Sequence, residues 1–129
     1  MSSRLPLQSG HILKGYTIGE VLGGGGFSLV YLASSELQRS KVVIKEYCPQ
    51  DLVTRQADGA IEPNTPLAQT PFRRGLQRFR EEAQRMSEVH HPNVISVSEY
   101  FEANNTLYMV MAHESGRDLR WFIKKLAGQ

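Results

Sequence analysis

The stretch that decides the fold runs from Leu22 to Lys45 and reads LGGGGFSLVYLASSELQRSKVVIK. A glycine-rich turn stands between two β-patterned runs, and a third such run ends on a lysine. This pattern predicts a β-hairpin that brings backbone N–H groups close to a polyphosphate, with a cation on the neighbouring strand. A dinucleotide-binding turn or a Walker loop would lead into a helix, whereas this turn leads into a strand. The stretch therefore indicates nucleotide binding of a different kind.

Length and composition indicate one soluble globular domain with a modest core. The chain has 129 residues, of which 40% are hydrophobic and 22% are charged. Its formal net charge of +2 makes no strong case for binding to nucleic acid or to a membrane surface. The single cysteine, Cys48, allows no internal disulfide and fits a reducing compartment. We therefore expect a cytoplasmic domain that has no nucleic-acid or membrane contact through this segment.

The hydrophobic pattern predicts the element order β-β-β-α-β-β-α. The predicted strands cover residues 16–22, 28–33, 41–46, 94–101 and 106–111. Residues 1–15 read as an irregular lead-in to the first strand. Residues 47–71 hold four prolines and the turn pair Asp58 and Gly59, which together predict a long irregular connection with a small hairpin.

One amphipathic helix is predicted after this connection. Thr70 and Pro71 read as an N-cap followed by proline at the first helical position. Apolar residues then recur at steps of 4, 3, 4 and 3, which define a single helical stripe: Phe72, Leu76, Phe79, Ala83 and Met86. The arginines of this region lie mostly off the stripe and alternate with acids, so they indicate a solvated face rather than a nucleic-acid site.

Five motifs in sequence order resemble the N-terminal lobe of bacterial serine/threonine protein kinases of the eukaryotic-like type. They are residues 23–30 against G-x-G-x-x-G-x-V, 42–45 against V-A-I-K, 79–83 against F-x-x-E-A, 91–95 against H-P-N-I-V, and 107–116 as the hinge. The resemblance implies an α+β fold with a five-stranded antiparallel sheet, one main helix, and a short C-terminal helix after the hinge. The lobe would span residues 16–116, and residues 117–129 would begin the post-hinge helix.

The resemblance implies that ATP binds beneath the glycine-rich loop. Ser28 stands where the family has its third glycine, so the loop departs from the pattern at one position. Lys45 would lie near the α- and β-phosphates, and a helix glutamate would hold its ammonium group. We choose Glu82 for this role because it lies at the edge of the apolar stripe, whereas Glu81 points to the opposite face.

The resemblance also implies an adenine and ribose site. Met111 stands at the gatekeeper position, and backbone groups of Ala112 and Glu114 would bond the adenine edge. Asp118 falls where the family often has a polar residue for the ribose, although it also fits a cap of the last helix. The residues implied in cofactor binding are Leu22, Gly23, Gly24, Gly25, Gly26, Phe27, Ser28, Val30, Val43, Lys45, Met111, Ala112, Glu114 and Asp118.

The second-lobe motifs H-R-D-L-x-x-x-N, D-F-G and A-P-E do not occur in these 129 residues. We therefore expect the whole protein to phosphorylate serine and threonine of other proteins with ATP, and the Mg²⁺ ligands to lie outside this chain. We expect no catalysis by the chain alone. The alternative is a non-catalytic pseudokinase lobe or a regulatory dimerisation module, and self-association of the chain is a related hypothesis. Residues 47–71 resemble an insertion in some bacterial kinases, where a regulatory role and simple packing both stay open.

Overall fold

The computed structural model describes residues 4–37, 40–88 and 95–113 of the chain. The predicted helix over 117–129, the predicted H-P-N-V turn at 91–94, Glu114 and Asp118 lie outside these residues. The strands are β1 (Ile12–Leu13), β2 (Tyr16–Gly24), β3 (Ser28–Ser35), β4 (Lys41–Tyr47), β5 (Val53–Arg55), β6 (Ile61–Pro63), β7 (Ile95–Ala103) and β8 (Thr106–His113). A 3-10 helix spans Pro66–Ala68, and helix α1 spans Gln69–Ser87.

In the described part of the chain, the main sheet is antiparallel and has six strands in the order β1-β2-β3-β4-β8-β7. The sequence predicted five, and the additional strand is β1, within the lead-in that was expected to be irregular. Lys14 and Gly15 join β1 to β2 with φ angles of 48° and 83°. Two consecutive left-handed residues make the tight turn that a two-residue hairpin requires, so a short strand pairs back onto β2.

The start of α1 also differs from the prediction. The helix begins at Gln69, and its N-cap Ala68 makes no side-chain capping bond. The threonine–proline signature acts one turn earlier, where the Thr65 hydroxyl accepts a bond from the Ala68 N–H at 3.2 Å and Pro66 opens the 3-10 helix. Pro71 is tolerated inside the first turn of α1 because the N–H groups there have no intrahelical partner.

Helix α1 covers one face of the sheet with the predicted apolar stripe. Phe72, Phe79 and Ala83 are buried, and Leu76 and Met86 pack partly buried against the same core. Two of these side chains, Phe72 and Phe79, lie against the Tyr47 ring of β4. Its ring centroid lies 5.4 Å from that of Phe72 and 5.7 Å from that of Phe79. The 4-3-4-3 periodicity is therefore confirmed as a core-facing pattern.

The long connection covers the opposite face of the sheet. Strands β5 and β6 pair antiparallel as the small hairpin predicted around Asp58 and Gly59. Gly59 adopts a φ of 100°, which allows the tight turn. Val53 and Ile61 are completely buried, so the hairpin packs on the lobe with its own apolar side chains. The result is three layers, with the sheet between α1 and the hairpin.

The sheet curls until side chains near its two ends meet. Tyr16 of β2 stacks on Phe101 of β7 with ring centroids 6.4 Å apart, and its hydroxyl donates to the Glu99 carboxylate. The Lys14 ammonium lies 3.3 Å from the same carboxylate. This curl places the glycine-rich turn, β4 and α1 around a common space.

Gly75 provides a test of how α1 seats on the sheet. A Cβ at this position would overlap the Tyr47 hydroxyl and lie 2.8 Å from Tyr47 Cζ. That hydroxyl donates to the Phe72 carbonyl at 2.8 Å, which holds the ring in place. We therefore expect Gly75→Ala to lower the free energy of unfolding by about 1–3 kcal/mol, although alanine is the better helix former.

Urea denaturation would measure the effect of Gly75→Ala. Gln77→Ala, at an exposed position of the same helix, is the matched control and should change stability by less than about 0.5 kcal/mol. A Gly75→Ala variant more stable than the parent chain would contradict the close packing of Tyr47 against α1.

Candidate functional site

A cavity of about 280 Å³ lies between the glycine-rich turn, β4 and α1. Its walls are formed by Gly25, Gly26, Phe27, Ser28, Lys45, Tyr47, Gly75, Arg78, Phe79 and Glu82. The sequence had proposed six of these as site residues, namely Gly25, Gly26, Phe27, Ser28, Lys45 and Glu82. The cavity therefore gathers residues from three separate motifs around one space.

Lys45 is positioned by strands on both of its sides. It lies opposite Val30 of β3 and Met109 of β8, near the C-terminal end of β4. Its strand neighbours Ile44 and Glu46 are completely buried, whereas Lys45 is only half-buried. A lysine placed this way presents its ammonium group to the cavity from a rigid backbone.

Glu82, rather than Glu81, is the helix acid in the cavity wall. Glu81 is exposed and accepts a long bond from Gln77 Nε2 at 3.5 Å. Glu82 is half-buried and faces the same space as Lys45. Among the salt bridges of the described residues, none joins Lys45 to Glu82. The two groups therefore share the cavity without bonding to each other in this conformation.

The glycine-rich turn is closed by a bond from the Gly25 N–H to the Ser28 carbonyl at 3.0 Å. A Cβ on Gly24 would lie 2.8 Å from that same carbonyl oxygen, so the narrow turn requires glycine there. A Cβ on Gly26 would meet no atom within 4 Å. The base of the turn therefore has no room for a side chain at Gly24, whereas a side chain at Gly26 would meet no other atom.

Comparison with known proteins agrees with this geometry. The model of the protein kinase domain family matches residues 16–128. This chain belongs to the protein kinase family. The match covers every element of the lobe from β2 onward, and it confirms the resemblance seen in the motifs.

Curated relatives of this kinase lobe include bacterial serine/threonine kinases. The chain is 32% identical over 108 residues to the serine/threonine-protein kinase PrkC of Bacillus subtilis (strain 168), covering 84% of this chain and 14% of PrkC. It is 31% identical over 114 residues to the serine/threonine-protein kinase PknB of Mycobacterium leprae (strain TN), covering 85% of this chain and 15% of PknB. The kinase lobe thus spans about one seventh of the length of these relatives.

Solved structures confirm the kinase-like α+β fold. "PpkA-294 apo form" superposes with a TM-score of 0.80 at 33% identity, covering 96% of this chain and 43% of that chain. A Mycobacterium tuberculosis PknI kinase domain double mutant aligns with a TM-score of 0.56 at 23% identity, covering 84% of this chain and 36% of the other, and shows the fold alone. Within the described ranges of the kinase lobe, no helix has the length and hydrophobicity needed to cross a membrane.

The described residues that were predicted for the adenine side lie on neighbouring strands of the kinase lobe. Val43 of β4 pairs with Met111 of β8, and both are buried together with Val30. Leu22 is partly buried on β2. Gly23 and Gly24 pair within the β2–β3 hairpin, and Ala112 lies opposite Ser96 in the β7–β8 pair. These residues do not line the 280 Å³ cavity, and their roles stay predictions.

A buried ion pair behind the cavity was not anticipated from the sequence. The Glu46 side chain is completely buried, and that of Arg55 is 6% exposed. Arg55 donates to both carboxylate oxygens of Glu46, at 2.7 and 2.9 Å. The hydroxyls of Tyr31 and Tyr108 donate to the same carboxylate at 2.8 and 2.5 Å. Glu46 is therefore fully bonded despite its burial, as a buried charge must be.

The sequence pattern pointed to Glu46 but not to its partner Arg55. An acid next to Lys45 in an otherwise apolar strand faces away from the cavity, because successive strand residues alternate between the two faces. Its partner Arg55 lies in the long connection, for which the sequence predicted a small hairpin but no contact with β4. No spacing rule joins the two residues, because only the folded hairpin brings them together.

Burial shifts the pKa values of the groups around Glu46. It raises the pKa of the Cys48 thiol to about 12, the Glu46 charge adds to this effect, and the Arg55 charge opposes it. Burial, followed by the charge of Glu46, also raises the pKa values of Tyr31 and Tyr108. All three groups are therefore neutral at pH 7, and Cys48 is not a reactive thiolate.

The ion pair can be tested by removing one charge. Glu46→Gln keeps the size of the side chain but leaves the Arg55 guanidinium buried without its counter-charge. We expect a loss of about 3–5 kcal/mol in the free energy of unfolding, measured by urea denaturation. The double variant Glu46→Met with Arg55→Met should lose less than this single change, because neither charge is left alone.

The control is an exposed ion pair of the same lobe. Arg80 and Glu102 lie 2.5 Å apart, with side chains 34% and 67% exposed. Glu102→Gln should therefore cost less than about 1 kcal/mol. Equal losses for Glu46→Gln and Glu102→Gln would show that the buried pair does not hold the hairpin to the sheet.

Proposed function

We propose that this chain is the ATP-binding lobe of a serine/threonine protein kinase, and that the whole protein transfers the γ-phosphoryl group of ATP to serine and threonine hydroxyls of proteins. The observation that carries this proposal is the single cavity that has the glycine-rich turn, Lys45 and Glu82 in its walls. The names of the curated relatives, which are serine/threonine-protein kinases, support the choice of reaction. A cytoplasmic location and self-association of the chain stay predictions.

The donors around the cavity suit a polyphosphate. The N–H groups of Gly26 and Phe27 have no hydrogen-bond partner among the residues that the structure describes. Successive free N–H groups in a turn form a concave anion-binding surface, and the Lys45 ammonium adds a full positive charge. ATP fits this donor set through its phosphates, which carry the negative charge. No described residue is assigned to Mg²⁺, which would arrive with the nucleotide.

Lys45 and Glu82 would act by positioning. Phosphoryl transfer depends mostly on placement of the reactants and neutralisation of charge, so a fixed cation at the phosphates is a direct contribution. In the proposed active arrangement, Glu82 accepts from the Lys45 ammonium and holds it toward the α- and β-phosphates. Because the two are not bonded in this conformation, we propose that a small approach of α1 to β4 accompanies activation.

The adenine would lie against the apolar strand residues next to the cavity. Leu22, Val30 and Val43 would enclose its faces, and Met111 would limit the depth of the pocket. Backbone groups of Ala112 and Glu114 would bond its edge, and Asp118 would bond the ribose hydroxyls. These assignments follow the kinase family pattern at matching positions of this sequence.

The nucleotide proposal is tested by Lys45→Met. We expect the affinity for Mg·ATP, measured by calorimetric titration of the chain, to fall roughly 10- to 100-fold, because charge-assisted bonds to the phosphates are lost. Lys41→Met, at an exposed position of the same strand, is the matched control and should bind like the parent chain. Equal affinities for Lys45→Met and Lys41→Met would show that Lys45 does not bind the phosphates.

A second test concerns catalysis by the 129 residues alone. We expect no transfer of radiolabelled phosphate from ATP to casein or to the chain itself, because no residue here is assigned as the base for the substrate hydroxyl. Turnover above the Lys45→Met background would contradict this expectation. A chain that dimerises by light scattering and does not bind nucleotide would instead favour the regulatory module.

A further inference from the structure

The backbone carbonyls of the glycine-rich turn are hydrogen-bonded to residues outside the hairpin. Three consecutive carbonyls of the turn each accept a hydrogen bond from a residue outside the hairpin. The pairs are Arg4 Nη1 to Gly25 O at 2.6 Å, Gln50 N to Gly26 O at 2.8 Å, and Cys48 N to Phe27 O at 2.9 Å. The turn is therefore held by the chain before β1 and by the chain after β4.

These bonds orient the free N–H groups of the turn. In a planar trans peptide, the carbonyl of one residue and the N–H of the next point in opposite directions. Because the carbonyls of Gly25 and Gly26 are held on one side, the N–H groups of Gly26 and Phe27 point to the other side. These two N–H groups are the ones that lack a partner among the described residues.

Arg4 itself is fixed by the segment that follows it. We call residues 4–7 the N-terminal strap. The Leu5 carbonyl accepts from Arg55 Nε at 3.0 Å, and the Leu7 N–H donates to the Tyr31 hydroxyl at 3.0 Å. The Leu7 side chain is buried, so the strap is anchored by packing as well.

The side chains that bond the strap also bond β4, the strand that carries Lys45. Arg55 and Tyr31 are the same side chains that bond the Glu46 carboxylate, and Glu46 follows Lys45 in β4. The strap and β4 are therefore joined through one buried hydrogen-bond network. This network sets the distance between the strap and the strand whose opposite face forms the cavity.

We propose that the N-terminal strap positions the glycine-rich turn for nucleotide phosphates, with Arg4 as the positioning residue. A glycine-rich turn has many backbone conformations, and ordering it upon ligand binding costs conformational entropy. Arg4 bridges the Gly25 and Cys48 carbonyls, at 2.6 and 3.2 Å, and so orders the turn before the ligand arrives. The inference deepens the proposed function and rests on it.

The first arm of the test needs no nucleotide. In hydrogen exchange followed by NMR, the amides of Cys48 and Gln50 should exchange about tenfold faster in Arg4→Ala than in the parent chain, because the turn that accepts from them is loosened. Arg73→Ala, an exposed arginine of α1, is the matched control and should leave these amides unchanged. Unchanged protection in Arg4→Ala would overturn the proposal.

The second arm measures the affinity of the same chains for Mg·ATP by calorimetric titration. We expect Arg4→Ala to bind about three- to tenfold more weakly than the parent chain, with Arg4→Lys between the two and Arg73→Ala unchanged. Urea denaturation should give the same midpoint for Arg4→Ala and Arg73→Ala, which separates loss of positioning from loss of fold.

The outcomes separate the two proposals. A parent chain that binds Mg·ATP and an Arg4→Ala variant that binds it equally tightly would overturn the role of the strap and leave the proposed function standing. A parent chain that does not bind Mg·ATP would overturn the proposed function, and with it the role of the strap.

Discussion

The buried pair of Glu46 and Arg55 is the interaction on which the rest of the lobe depends. A carboxylate that is completely buried is tolerated only with a full set of donors, and here Arg55 and two tyrosine hydroxyls supply them. Because the carboxylate belongs to β4 and the guanidinium to the β5–β6 hairpin, this requirement fixes the hairpin on the sheet. The same guanidinium bonds the Leu5 carbonyl, so the N-terminal strap is placed by the same constraint.

Strand β4 connects this network to the site through the alternation of its side chains. Lys45 faces the cavity, Glu46 faces the network, and Tyr47 faces α1. Three consecutive residues of one strand therefore contact the cavity, the β5–β6 hairpin and helix α1. In this arrangement the long connection is a structural layer of the lobe, and it also supplies the N–H groups that hold the tip of the glycine-rich turn.

Much of the fold followed from local patterns. The 4-3-4-3 stripe placed the buried face of α1, and the pair Asp58 and Gly59 marked the small hairpin. Two local predictions were wrong. The N-cap signature acts at Thr65 instead of Thr70, and the lead-in contributes β1 because Lys14 and Gly15 adopt left-handed conformations. A threonine–proline pair occurs twice, at residues 65–66 and 70–71, and local sequence does not say which threonine acts as the N-cap.

The sequence by itself predicted the family, the strand that carries Lys45, and the position of Glu82 at the edge of the apolar stripe, because these depend on motifs and periodicities confined to short stretches. Only the tertiary structure decided that Arg55 neutralises Glu46 and that Arg4 bonds the glycine-rich turn. It also decided that Lys45 and Glu82 share a cavity without pairing. Such contacts join residues far apart in the chain, and their distances depend on how the layers pack rather than on any local preference of the backbone.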